Sequence, residues 1–291
     1  MQERMISVQS SAGLPLSAML CTHDGATENH GLVQILHGMQ EHKERYLPFV
    51  RFLCDNGYDV LLHDHLGHGK SVSAEHPLGD MVTMENVLED IDRVRHAVPE
   101  APRTICFGHS MGSFLARLYA AQRPVDLLIA CGTGQTPTLM ARVVQAILFF
   151  CPKHVPLASI QKLVMGGFQK RGEGPLDWLS VNEENQKRYA ADPLCGQPFT
   201  REGYHALMDI VCALNREETY EACTAKRILL IAGEKDPVGA YTKGVKQAAP
   251  RRYRATGKNV TTHFYPNMAH EILNENGADE VMQDILDFMK A

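Results

Sequence analysis

The sequence has no apolar run that reaches the ~20 residues needed to span a bilayer. Its opening residues, MQERMISVQS, hold no apolar stretch of the kind that directs secretion. Both absences point to a cytoplasmic protein. The eight cysteines include no Cys-x-x-Cys pair, and without an export signal they read as reduced, mostly buried thiols. Basic charge is not in excess. Lys and Arg number 29 against 34 Asp and Glu, the net charge is −5 and no basic patch stands out, which argues against nucleic acid as a partner. Internal repeats and low-complexity tracts are also missing. What remains is an ordinary globular composition, 44% hydrophobic and 22% charged over 291 residues. That length buries one large core, as one domain with an insertion or at most two domains.

Short apolar runs alternate with amphipathic ones. Two β-like runs, MISVQS and LSAML, come first. Residues 31–38, 58–64, 103–109, 125–132, 227–234 and 259–266 then read as strands. Residues 45–57, 85–98, 111–122 and 278–290 read as helices. This alternation predicts an α/β chain with a mostly parallel sheet of eight strands and helices on both faces. Residues 134–222 break the rhythm: they hold no convincing strand and are rich in Pro and Gly near 152–175. They are expected to form a helical cap inserted into a core made of residues 1–133 and 223–291.

The stretch VLLHDHLGHGKS places His63, His65 and His68 within six positions, after an apolar run. Zinc hydrolases of the metallo-β-lactamase type use His-x-His-x-Asp-His in such a place. Here Gly67 stands where that Asp would be, and no second set of ligands is apparent. Chelator sensitivity would separate this reading from the one that follows.

CFGHSMGSF (106–114) contains Gly108-x-Ser110-x-Gly112 where a buried strand turns directly into a helix. That context is the nucleophile elbow. The serine is held in a strained turn, and the glycines two residues to either side let the backbones pack closely. The helix N-terminus adds free N–H groups and a positive dipole end. A serine nucleophile needs a base, and the base needs an orienting acid. In this fold class they follow in the order Ser, acid, His. Asp236 in GEKDPVG and His270 in YPNMAHEILNE lie just past the last two strands, on the same sheet edge as Ser110. Glu234 and His263 are weaker candidates, being nearer the strand bodies. An oxyanion hole needs two N–H groups, expected from Met111 after the serine and from Met39 in the loop after VQILHG. His37, Gly38 and His109 near the serine, with Phe149 and Phe150 at the end of an apolar stretch, are candidates to line a substrate pocket.

With these residues in view the chain resembles α/β-hydrolases, specifically the monoacylglycerol lipase and lysophospholipase group, whose bacterial members are often labelled serine aminopeptidase-like. HGMQEHKERY is similar to that group's HGxGEHxxRY, DHLGHGKS to its DxRGHGxS, and GHSMGS to its GHSMGG or GHSMGS. ADPLCGQPFT, GEKDPVG and HEILNE extend the likeness from about residue 31 to 276. Gln40 replaces a glycine of the oxyanion loop and Leu66 the usual arginine. The resemblance implies that DHLGHG is a tight turn, so that its histidines are not ligands. It also implies serine hydrolysis of carboxylic esters with no metal or cofactor.

TLMARVVQAILFFC (138–151) is apolar at eleven of fourteen positions. A helix with so narrow a polar stripe must be covered on more than one side. One side is expected against the body of the domain, the other lining the approach to Ser110 or touching a micelle or membrane transiently. The expected substrate is a small-molecule acyl ester, with glycerol favoured over a phosphate head group because the cap has no Lys/Arg cluster. The alternatives are a small-ester carboxylesterase and a non-catalytic ligand-binding protein on the same fold. An aminopeptidase would need acidic groups for the substrate ammonium, for which Glu183, Glu184 and Asp192 are candidates.

Overall fold

The computed structural model describes residues 1–25, 28–169, 174–247 and 249–291. Strand β1 (Gln2–Gln9) turns back antiparallel on β2 (Pro15–Thr22), which pairs antiparallel with the next part of the sheet. From there the chain alternates: β3 (Leu32–Leu36), α1 (Leu47–Asp55), β4 (Asp59–His63), α2 (Met84–His96), β5 (Thr104–His109), α3 (Met111–Ala120) and β6 (Leu127–Cys131). The β6–β7 connection holds α4 (Thr138–Leu148), α5 (Ala158–Gln169), α6 (Glu183–Ala191), α7 (Arg201–Leu214) and α8 (Glu217–Glu221). Strand β7 (Arg227–Gly233), α9 (Lys243–Gln247), α10 (Ala249–Ala255), β8 (Asn259–Tyr265) and α11 (Ala278–Lys290) complete the described strands and α-helices.

The sheet has eight strands in the order β1-β2-β4-β3-β5-β6-β7-β8. All pairings from β4 through β8 are parallel. This is the α/β-hydrolase fold. The central strands read as unbroken apolar runs because helices cover both of their faces: every residue of β3 and β6 is buried. One layer packs Leu115, Ala116 and Tyr119 of α3 with Val87 and Ile91 of α2. The opposite layer packs Phe49 and Leu53 of α1 with Val281, Ile285 and Met289 of α11. Thr83 caps α2, its hydroxyl accepting from Asn86 N–H at 3.2 Å. Helices α9 and α10 lie in a stretch with no sequence expectation.

The β6–β7 connection, residues 132–226, contains the expected 134–222 insertion, whose residues 170–173 lie outside the described ones. Its helix α4 packs along α7, and α7 in turn on α3. Ala141, Val144 and Leu148 form the buried face of α4. Leu139, Met140, Val143 and Ile147 remain exposed.

Candidate active site

The carboxyl ends of the parallel strands meet below the β6–β7 connection, and the chemistry-bearing side chains gather there. Strand β5 passes into α3 through Ser110, whose backbone sits at φ 53°, ψ −121°. A non-glycine residue holds that conformation only when its surroundings fix it. Here the fixing is steric. A Cβ on Gly108 would stand 2.1 Å from the carbonyl oxygen of Gly112, and one on Gly112 would stand 2.0 Å from that of Leu36. Only glycines let the elbow close this tightly, and Ser110 N–H is anchored on Cys131 O at 3.0 Å.

Asp236 follows β7 and is fully buried. Its Oδ1 accepts from Val238 N–H at 2.8 Å, and its Oδ2 lies 3.0 Å from His270 Nδ1. A carboxylate only accepts, so the imidazole donates from Nδ1 and keeps Nε2 as its basic nitrogen. The ring rests over Gly132, where φ is +57° and an added Cβ would come 3.1 Å from Cε1 and Nδ1. Glu234 is exposed. His263 stays in β8 facing Asp284, with Nδ1 to Oδ2 at 3.2 Å.

Two carboxylates that sequence reasoning left without a role brace this arrangement. Buried Glu41 takes Gly38 N–H at 2.6 Å, Tyr46 Oη at 2.7 Å and Arg45 Nη1 at 2.9 Å, and lies 3.1 Å from His109 Nδ1. Burial opposes its charge. The hydrogen bond from His109 and the neighbouring charges more than offset this and hold the carboxyl well below its ordinary range. Glu271, next to His270, binds Arg45 through both oxygens and accepts from Asn185 Nδ2 at 2.7 Å. Arg45 thus links the loop after β3, the loop after β8 and α6. Glu41 and Arg45 stand within the HGMQEHKERY block, so the signal was present in the sequence without a partner to interpret it.

A cavity of about 400 Å³ opens onto Ser110 and His270. Met39, Met111 and His109 line it near the serine, as do Met140, Val143, Val144 and Ile147 of α4 and Trp178 farther along the same connection. Met111 is the first residue of α3, a position whose N–H has no intrahelical acceptor. His37 and Gly38 lie behind this wall. His37 is buried, with Nδ1 donating to Gly38 O at 2.8 Å and Nε2 accepting from His65 N–H at 3.0 Å, and Gly38 packs against Ser110 Cβ.

The expectation that Phe149 and Phe150 line the pocket is corrected. They are 75% and 85% exposed and do not face the cavity. Helix α4 ends at Leu148, so both rings lie past the face that Met140, Val143, Val144 and Ile147 share at helical spacing.

Gln40, the departure from a family glycine, has φ +62° and so keeps a glycine-like backbone with a side chain attached. Its carbonyl accepts from Gly196 N–H and Tyr189 Oη, and its Oε1 from Gln161 of α5. Leu66, the other departure, is a core residue.

The histidines of the DHLGHGKS stretch are buried in a turn. The rings of His37 and His65 stand 4.3 Å apart, those of His63 and His65 4.7 Å. Among the described residues, His63, His65 and His68 do not form one of the groups whose ligand atoms converge. The turn is held by Asp64, which accepts from Lys43 Nζ at 2.6 Å and from Lys70 N–H at 2.9 Å.

The family model Hydrolase_4, described as serine aminopeptidase S33, matches residues 27–277. Human monoglyceride lipase is 32% identical over 166 residues, 56% of this chain and 52% of that protein. The chain spans about half the length of the human, mouse and rat relatives it matches. A monoacylglycerol lipase of Mycolicibacterium smegmatis is 26% identical over 269 residues, covering 89% of this chain and 88% of that one. Among solved structures, a highly thermostable carboxyl esterase from Bacillus coagulans in complex with glycerol superposes with a TM-score of 0.90 at 29% identity. That likeness covers 100% of this chain and 98% of the esterase. The match over residues 27–277, the sheet order and the strained serine after β5 agree, and the chain belongs to the Hydrolase_4 family, described as serine aminopeptidase S33, on the α/β-hydrolase fold.

Proposed function

We propose that the protein is a serine hydrolase of acyl esters, acting on monoacylglycerols. Ser110 Oγ attacks the ester carbonyl carbon and gives its proton to His270 Nε2, while Asp236 fixes the imidazole. The oxyanion forms against the backbone N–H groups of Met39 and Met111. Collapse expels the alcohol, which takes the proton from His270. Water, activated by the same nitrogen, then releases the fatty acid and restores the serine.

The observation that carries the substrate class is the lining of the 400 Å³ cavity at Ser110. Apart from His109, His270, Glu41, Glu271, Gln40 and a few hydroxyl groups it is apolar, and among the described residues no Lys or Arg lines it. A lysophospholipid phosphate would find no cation there. A substrate ammonium fares no better: Glu41 and Glu271 are bound to Arg45, Asp192 to His42, and Glu183 is 85% exposed on its side chain and outside the cavity. This disfavours the aminopeptidase chemistry in the family's description. The human and mycobacterial relatives carry lipase names, and the esterase neighbour was solved with glycerol. In this reading residues 134–222 act as the cap. Leu139, Phe149 and Phe150, all at least 75% exposed, provide an apolar edge for transient contact with a micelle or membrane. No helix among the described residues is long and apolar enough to cross a membrane.

Each buried CH₂ contributes roughly 0.8 kcal/mol, so kcat/KM should rise several-fold, up to about 15-fold for full burial, per two carbons until the cavity is full. Hydrolysis of monobutyrin, monooctanoin and monolaurin, with lysophosphatidylcholine alongside, tests this. A rising monoacylglycerol series with slow lysophosphatidylcholine turnover is expected. A flat or falling series would leave a small-ester esterase.

A further inference from the structure

We propose a divalent-cation site, separate from the serine centre, formed by Asp80, His154 and Glu202, with His76 beside Asp80 as a fourth ligand that turns in to meet the ion. Asp80 lies in the loop between β4 and α2 and is fully buried. Its Oδ2 stands 2.5 Å from His154 Nδ1. Its Oδ1 makes no hydrogen bond, and neither does the Nδ1 of His76, which faces it at 3.8 Å. That separation is too long for a hydrogen bond. It suits two ligands of one ion, since atoms held at about 2.0–2.2 Å from a common metal can stand no more than about 4.4 Å apart. Asp80, His154 and Glu202 each bring one ligand atom to within 4.8 Å of the others, so small side-chain turns bring them within that limit.

Imidazoles with carboxylates suit zinc, cobalt or nickel better than calcium or magnesium, which prefer all-oxygen shells. A buried carboxylate supplies a fixed anchor. The His154 side chain, 52% exposed, and that of His76, 21% exposed, leave an entry path and can turn to meet the ion. On binding, the proton at His154 Nδ1 is released to solvent, the ring draws back from Asp80 Oδ2 to admit the metal at that nitrogen, and the imidazole keeps its remaining proton on Nε2. Glu202 already accepts from His154 N–H at 3.0 Å and pairs with Arg201 at 3.2 Å. One oxygen therefore has to be shared with the ion.

The position suggests a purpose. His154 and Glu202 belong to the β6–β7 connection, and His76 and Asp80 to the loop after β4. The two segments are already stitched together by Thr200 N–H on Gly79 O at 3.0 Å. An ion would cross-link the root of the helical connection to the body of the domain, outside the lining of the cavity at Ser110, and would stabilise the protein without entering the reaction.

The experiment is a titration of chelator-stripped full-length protein with Zn²⁺ by calorimetry and with Co²⁺ by absorbance, together with the thermal midpoint. One equivalent should bind saturably, raise the midpoint by several degrees and give a Co²⁺ spectrum without thiolate charge transfer. His76→Gln and His154→Gln should each weaken binding at least ~10-fold and remove the midpoint rise. They alter partly exposed rings, so the test stands even if Asp80→Asn fails to fold. Absence of saturable binding would overturn the proposal. So would unchanged binding in the two histidine variants, or a thiolate band, which would locate the ion at His42, Asp192 and Cys195 instead.

Discussion

The indole of Trp178 lies over the imidazole of His270, ring centroids 5.6 Å apart and planes inclined by 33°. One ring comes from the β6–β7 connection, the other from the loop after β8, and both line the cavity at Ser110. Trp178 is the only tryptophan of the chain. Its fluorescence therefore reports on the site alone. Full modification of Ser110 by a long-chain phosphonate should shift or quench the emission. An emission spectrum that stays the same after complete modification would mean that the cavity is not where the acyl chain goes.

The elbow glycines give a stability prediction. Gly108→Ala and Gly112→Ala each drive a methyl group into a backbone carbonyl, at 2.1 and 2.0 Å. No rotamer relieves a Cβ clash, so each should cost at least about 3 kcal/mol or prevent folding. Urea unfolding with circular dichroism measures this. A variant within 1 kcal/mol of wild type would require the elbow to be looser than it is here.

The buried histidines set an acid limit. Burial, reinforced by neighbouring imidazoles, pushes His37, His63 and His65 well below the ordinary value of 6.5, and burial alone takes His68 down to about 4 against the opposing pull of the Leu66 carbonyl, Asp64 and Glu41. The unfolded chain takes up these protons near pH 6.5 and the folded chain does not, so stability falls as pH drops below about 6.5. His42 behaves oppositely. Burial opposes its charge, but hydrogen bonds to Cys195, Glu44 and Asp192 hold it up to about 10. Its contribution is intact in acid and is lost as pH rises from about 6.5 toward 10. The urea midpoint should thus decline steadily from pH 7 to pH 5. A midpoint that stays level over that range would contradict the buried neutral cluster.

The exposed pair Phe149 and Phe150 gives a prediction about the lipid surface. Replacing both by Ala should leave turnover of a dissolved short-chain ester unchanged. It should lower the rate on micellar or vesicular monoacylglycerol several-fold, because apolar contact area with the surface is lost. Equal rates on both substrate forms would remove the surface role from this edge.

Much of this was legible in the sequence, and the reason is geometric. Strands buried on both faces show as apolar runs, and Leu32–Leu36 and Leu127–Cys131 are of that kind. The elbow was legible because its glycines answer to backbone clashes, which local sequence dictates. Helices α9 and α10 escaped because KGVKQ and APRRYRA are short, charged and cover only part of a surface. The bracing by Glu41 and Glu271 was not legible: Glu271 declares itself only through Arg45 and Asn185, which lie far away in sequence, and the nearby pair Glu41 and Arg45 reads as a surface pair until the fold buries it. Phe149 and Phe150 misled because strong hydrophobicity was read without the helix phase, which the end of α4 at Leu148 decides.

The most direct measurement couples labelling to turnover. The protein is titrated with a fluorophosphonate, and intact mass, the labelled peptide and hydrolysis of a medium-chain monoacylglycerol are followed together. One adduct per chain, on Ser110, with activity falling in proportion and with Ser110→Ala both unlabelled and slower by about 10⁴-fold or more, is the expected result. Hydrolysis that survives complete labelling, or an adduct on any other residue that abolishes it, would contradict Ser110 as the nucleophile and with it the reading of the site.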